Sequence, residues 1–147
     1  AEIIAITGSN GKTTKKELCG RVLASTHSVN MTEGNLNNHI GVPLTLLSIK
    51  KEDDFALVEM GANHGGEIEN LCRIAKPNKG LITNIGKAHL EGFGSYEGVI
   101  KAKSELYDHI RKNNGLVFIN ADNELLNKLT EGISSFSYGK RVQADLP

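Results

Sequence analysis

Ile3-Ile4-Ala5-Ile6-Thr7-Gly8-Ser9-Asn10-Gly11-Lys12-Thr13-Thr14 decides how this chain is read. A short apolar run breaks into a glycine-rich turn that ends in Gly-Lys-Thr-Thr, and a helical pattern follows from Lys15 to Ser25. Strand, glycine loop, Lys-Thr and helix together suit the grip of a polyphosphate. Glycines let backbone N–H groups crowd around phosphate oxygens. The helix N-terminus adds partial positive charge. Lys12 can then reach the terminal phosphates, and the Thr13 hydroxyl can ligate Mg²⁺. The general phosphate-loop pattern wants glycine where Ile6 stands; here Gly8 lies closer to Gly11. Taken alone, the segment is also compatible with a glycine-rich turn carrying a solvated lysine.

Outward from this stretch, apolar runs alternate with helical patterns. Strands are expected at 2–7, 28–31, 54–60, 80–85, 116–119 and 136–138. A helix over 13–26 is expected to turn Leu18 and Val22 inward. Pro43 suits the first turn of a short helix over 42–48. Ile68, Leu71, Cys72 and Ala75 recur at i, i+3, i+4 and i+7, so 67–76 reads as an amphipathic helix that Pro77 stops. Helices are also expected at 96–111 and 123–129. Loops are expected over 33–39, with its asparagines, and over the glycine-rich 86–95. Strands separated by single helices imply an α/β fold with a parallel sheet covered on both faces. Ligands of such sheets bind beyond the carboxyl ends of the strands.

Bulk properties narrow the function. The chain has 147 residues, 17 basic and 17 acidic side chains, and net charge zero. No basic stripe favours nucleic acid. No apolar stretch approaches the roughly 18 residues of a membrane span. No signal peptide is seen. Cys19 and Cys72 lie far apart, outside metal-ligand spacing, and are expected to be buried free thiols in a reducing cytoplasm.

The strand-end rule gathers polar residues into a site. The phosphate loop follows the first strand, Glu59 ends another, Asn84 and then His89 follow the next, and Asn120 and Asp122 follow Leu116–Ile119. A Mg²⁺–nucleotide site needs hard oxygen ligands beside the phosphates, and Glu59 is the best-placed carboxylate. His89 by position alone is either structural or part of the site. On a helical wheel of 96–111, Tyr96, Val99, Ile100, Leu106, Tyr107 and Ile110 form one stripe with Lys103 in its middle. An inward lysine must find a partner, lose its proton or be modified, unless it snorkels to water.

Four segments extend the pattern: Asn35-Leu36-Asn37-Asn38-His39-Ile40-Gly41-Val42-Pro43, Glu59-Met60-Gly61-Ala62-Asn63-His64, Thr83 through Ser95, and Ala102-Lys103-Ser104-Glu105. With the shortened phosphate loop and in this order, they resemble the ATP-dependent Mur ligases of bacterial cell-wall synthesis. They are most similar to the branch that adds D-alanyl-D-alanine to UDP-N-acetylmuramoyl-tripeptide. The resemblance implies a three-layer, parallel-sheet domain akin to P-loop NTPases, with ATP and Mg²⁺ as cofactors. It implies that Gly8, Ser9, Asn10, Gly11, Lys12, Thr13, Thr14 and Asn84 bind nucleotide. It also implies that Thr13 holds one Mg²⁺, and that Glu59 and His89 hold a second Mg²⁺ region. Lys103 aligns with a lysine that carries a carbamate in several members and helps hold that second metal. Lys12, His89 and Lys103 are thereby the catalytic candidates, and Asn37, Asn38 and Asn84 are second-tier site residues without an assigned catalytic role. The implied reaction makes an acyl phosphate and then an amide. Residues 1–147 would be the central, C-terminally incomplete domain of a monomeric bacterial cytoplasmic enzyme. Its substrates would be met mostly by domains outside this stretch. The stretch alone is expected to bind nucleotide weakly and to give no ligase turnover. Rival readings are folate polyglutamate ligases, whose loop usually reads Gly-Lys-Gly-Ser, a sister Mur ligase adding a diamino acid, and a P-loop nucleotide switch.

Overall fold

The computed structural model describes residues 1–87, 90–140 and 144–146. In chain order its elements are β1 (Glu2–Thr7), α1 (Lys12–Leu23), β2 (Val29–Met31), α2 (Gly41–Leu47), β3 (Phe55–Glu59), α3 (Glu67–Ala75), β4 (Lys79–Ile82), α4 (Leu90–Phe93), α5 (Tyr96–Lys112), β5 (Leu116–Asn120), α6 (Glu124–Leu129) and β6 (Ser134–Tyr138). The strands form one sheet in the order β2-β3-β1-β4-β5-β6, and every pair is parallel. β1 therefore lies between β3 and β4, where the chain changes the direction in which it adds strands. That is where a doubly wound sheet opens a crevice at its carboxyl edge.

The two faces are covered differently. Ala5, Val58, Ile82, Val117 and Ile119 point to one face and pack with residues of α2, α3, α5 and α6, among them Val42, Leu71, Leu106, Tyr107 and Leu126. The alternate residues Ile4, Ile6 and Leu57 point to the other face, where α1 lies. The result is the expected three-layer α/β arrangement.

Four sequence expectations change. First, α1 turns Lys16 and Gly20 inward, while Leu18 and Val22 are 60% and 71% exposed. Gly20 suits this rotation: a Cβ there would lie 2.7 Å from the Met31 sulfur, so the bare backbone lets α1 lie close on β2 without displacing that side chain. Leu18 and Val22 instead join Ile4, Ile6, Leu81 and Phe118 along an open apolar groove. Second, the glycine-rich 86–95 stretch contains the single-turn α4, closed where the Gly94 N–H donates to the Leu90 carbonyl at φ +80°. Third, Cys72 is buried against Met60 but Cys19 is exposed; both are free thiols. β4 also stops at Ile82 instead of Ile85, because Thr83 and the residues after it bend over the phosphate loop.

Candidate functional site

The site starts at the carboxyl end of β1. Gly8 has φ +144°, and a Cβ there would sit 1.9 Å from the Thr83 hydroxyl oxygen. Both backbone angle and space therefore demand glycine. Gly8→Ala is expected to destabilise the fold by about 2–6 kcal/mol, strain and overlap each contributing about 1–3. Urea unfolding measures this; a loss below about 1 kcal/mol would show that Thr83 simply moves aside.

The loop is braced from β4's end. The Ser9 N–H donates to the Asn84 carbonyl at 3.0 Å, and the Asn10 N–H to Asn84 Oδ1 at 3.0 Å. The Thr83 hydroxyl donates to the Asn10 carbonyl at 2.6 Å, and the Gly86 N–H to Ser9 Oγ at 2.9 Å. Asn84 thus holds the loop's shape from its side. The loop ends at Gly11, left-handed at φ +77°, which is the N-cap of α1. Among the described residues no side chain caps this end, and no acidic residue occupies the first turn. The first backbone N–H groups of α1 are thereby left for an anion. Lys12 stands in that first turn, half-buried, and its ammonium donates to the Gly8 carbonyl at 2.9 Å.

β3 delivers the carboxylate. The β1–β3 register pairs Ile6 with Glu59, so Glu59 arrives beside the start of the phosphate loop. It is 1% exposed. The Thr13 hydroxyl lies 3.2 and 3.0 Å from its two carboxylate oxygens. Asn37 Nδ2 donates to Oε1 at 2.9 Å, and the Lys16 ammonium lies 3.7 Å from Oε2. The Glu59 N–H donates to Thr32 Oγ at 2.9 Å.

α5 delivers Lys103. Ser95 caps this helix, accepting from the Gly98 N–H at 3.1 Å. The apolar stripe packs inward as the wheel predicts, and Lys103 within it is 4% exposed. Its ammonium lies 5.7 Å from the centre of the Phe93 ring. Burial, and secondarily the nearby Lys12 charge, pull its pKa down to about 8. The carboxylate of Glu105 accepts from the Gly66 and Glu69 N–H groups at 2.7 and 2.8 Å, fastening α5 to the start of α3. Lys12 and Lys103 both line a polar cavity of about 620 Å³, together with Asn37, Asn38, Asn63 and Glu67.

The structure thus gathers most of the sequence-predicted residues at one sheet edge: Gly8 to Thr14, Glu59, Asn84, Lys103, Asn37 and Asn38. His89 lies outside the described residues. Asn120 and Asp122 stay apart from the cavity. Asn120 Oδ1 accepts from the Asp122 N–H at 3.0 Å, and the Asp122 carboxylate from the Lys140 N–H at 2.8 Å, so both shape local turns. The cavity wall from α3, with Asn63 and Glu67, was not foreseen; it depends on how α3 docks on α5. Lys16 was also missed. Its only signal is that it stands one helical turn before Gly20.

Among the described residues no three His, Cys, Asp or Glu side chains gather as a metal cluster. Thr13 Oγ and the Glu59 carboxylate are hard oxygen donors beside an anion-binding helix end. That set fits Mg²⁺ shared with phosphate oxygens, the usual way proteins hold this ion.

A family model described as the Mur ligase middle domain matches residues 6–146. The chain is similar to the UDP-N-acetylmuramoyl-tripeptide–D-alanyl-D-alanine ligase of Escherichia coli (strain K12), 47% identical over 123 residues, which cover 84% of this chain and 27% of that protein. It is also 47% identical over 136 residues to the ligase of the same name from Haemophilus influenzae, covering 90% of this chain and 30% of the other. Its fold is similar to the MurF ligase of Thermotoga maritima in complex with ADP, with TM-score 0.87 and 35% identity over 97% of this chain and 33% of that one. The chain spans less than a third of the length of these two curated relatives.

Proposed function

Because this chain belongs to the Mur ligase family and carries its middle domain, we propose that it forms the ATP- and Mg²⁺-binding part of the ligase that joins D-alanyl-D-alanine to UDP-N-acetylmuramoyl-tripeptide. The observation that carries the reading is that Lys12 lines both the polar cavity that Lys103 lines and the neighbouring pocket lined by Thr13 and Glu59, which are themselves in contact. The same-named activity of the similar ligases supports the substrates. Residues 1–147 are the central domain in this reading, and a monomeric enzyme of the bacterial cytoplasm is its setting.

The substrate's terminal carboxylate attacks the γ-phosphorus of ATP, and ADP leaves. The D-alanyl-D-alanine amine then attacks the acyl phosphate. The tetrahedral adduct collapses to the amide, releasing inorganic phosphate and a proton. Transfer of a phosphoryl group is mostly a matter of positioning and charge stabilisation. The first N–H groups of α1 and the Lys12 ammonium hold the β- and γ-phosphates. Thr13 and Glu59 would hold Mg²⁺, which supplies charge neutralisation on the transferring group. Glu59 is kept ready by its donors Thr13 and Asn37. Asn84 serves nucleotide binding by holding the Ser9–Asn10 backbone in shape. The resemblance assigns His89 to the second Mg²⁺ region.

Lys103 supplies the remaining anionic oxygens after adding CO₂: the neutral amine and CO₂ form a carbamate and release one proton. A carbamate resolves the oddity of a cation inside an apolar stripe.

The deciding experiment gives the intact enzyme ATP, Mg²⁺, UDP-N-acetylmuramoyl-tripeptide and D-alanyl-D-alanine. Stoichiometric pentapeptide product and ADP are expected. ADP without pentapeptide would refute the substrate assignment and favour a sister ligase or a nucleotide switch.

A further inference from the structure

Lys16 is a fully buried charge that the phosphate grip does not use. It leaves α1 one turn after Lys12. Its ammonium donates to the Thr32 carbonyl at 2.6 Å and to the Gly34 carbonyl at 2.7 Å. Glu17 Oε1 lies at 3.2 Å and Glu59 Oε2 at 3.7 Å. Three parts of the molecule therefore meet at one nitrogen: the phosphate-binding helix, the end of β3, and the loop that follows β2.

Stability alone does not explain this choice. A buried ion pair is expensive to desolvate, and apolar residues of similar volume often hold such a junction as well or better. What an ammonium adds is direction, because its three donors can draw carbonyls and a carboxylate to one point. The loop it seizes continues to Asn37, which donates to Glu59 Oε1 at 2.9 Å and whose carbonyl accepts from the Gly61 N–H at 2.8 Å. Glu59 thereby has three partners: Thr13 and Asn37 by hydrogen bonds, and Lys16 by an ion pair at 3.7 Å. The first and last of these stand on the same helix, three residues apart.

We infer that Lys16 is a positioning residue. It fixes the Glu59 carboxylate and the loop 32–38 to the phosphate-binding helix, so that the metal-holding oxygens and the cavity wall of Asn37 and Asn38 keep one geometry relative to the phosphates. The inference rests on the metal role proposed for Glu59.

The test uses Lys16→Met in the intact enzyme, with folding checked by circular dichroism. ADP affinity without metal is expected to stay within about threefold, since Lys16 does not face the phosphates. Mn²⁺ affinity in the ADP complex, read by electron paramagnetic resonance, is expected to fall about tenfold or more, as is usual when the outer partners that orient a metal ligand are lost. The bound Mn²⁺ spectrum should broaden, and kcat should fall about tenfold with little change in the KM for ATP. A folded variant with wild-type Mn²⁺ affinity, spectrum and kcat would overturn the inference. If the methionine variant does not fold, Lys16→Gln replaces it and is read the same way, because its uncharged amide is one atom shorter and has two N–H donors in place of three, too few to serve both carbonyls and the carboxylate together. Failure of both to fold would overturn the inference in favour of a purely architectural lysine. Wild-type enzyme that takes up no Mn²⁺ with ADP would remove the Glu59 role and the inference with it. Wild-type enzyme that binds Mn²⁺ and ADP but makes no pentapeptide would refute the substrate reading alone. The Mn²⁺ comparison then still decides Lys16.

Discussion

Lys12→Ala should lower kcat/KM of the intact enzyme about a thousandfold or more, the scale expected when a charge aimed at a transferring phosphoryl group is removed. The fold should survive, because the loop does not depend on this side chain. Ser9 and Asn10 are held by Asn84, Thr83 and Gly86, whereas among the described residues Lys12 donates only to the Gly8 carbonyl. The variant should therefore melt like the wild type while losing both ADP and pentapeptide formation. Retention of activity within about tenfold would show that the N–H groups at the helix end carry the phosphates without it.

The second large effect concerns Lys103. Lys103→Arg keeps a cation but cannot carry CO₂, and should cost about a hundredfold or more in kcat, as loss of an anionic metal-supporting group does. The chemistry has a defined pH direction. With its pKa lowered to about 8, the amine is mostly protonated at neutral pH, and its reactive neutral fraction grows as pH rises through about 8. Enzyme stripped of CO₂ should be poorly active. At fixed dissolved CO₂ it should regain activity more completely at pH above 8 than at pH below 7. A carbamate signal from ¹³C-labelled bicarbonate should appear in the wild type and be missing in the arginine variant. Full activity in CO₂-free buffer, or a wild-type rate from the arginine variant, would rule the modification out.

Much of this was legible in sequence because buried parallel strands leave a plain mark. Residues 2–7, 54–60 and 80–85 are apolar runs bounded by turns, and the Gly-Lys-Thr loop sits at the end of the first. The wheel of α5 was equally readable, since one apolar stripe faces one core, and it exposed Lys103 as out of place. α1 misled for a physical reason. Leu18 and Val22 face the open apolar groove, so the apolar side of this helix is not its packed side. The side that packs carries Lys16 and Gly20, a charge and a missing side chain, and periodicity has no way to favour such a pair. α4 is a single turn and too short to show any period. Asn84 enters the site in the sequence by its place after a strand. That its carbonyl and side chain brace Ser9 and Asn10 depends on β4 lying beside β1, which no local pattern encodes. The α3 wall of the cavity depends likewise on Glu105 clasping the start of α3 from another helix.

The bracing of Ser9 and Asn10 has a thermodynamic consequence. A loose glycine-rich loop would have to be ordered by its ligand, at about 1–2 kcal/mol of backbone entropy for each residue fixed. Here that ordering is already made without phosphate, by the contacts from Thr83, Asn84 and Gly86. The affinity of the cradle is then not reduced by the cost of ordering this loop, and calorimetry should find little chain-ordering entropy in the uptake of phosphate. Loosening the Asn84 clasp would transfer that penalty to the ligand and weaken its uptake.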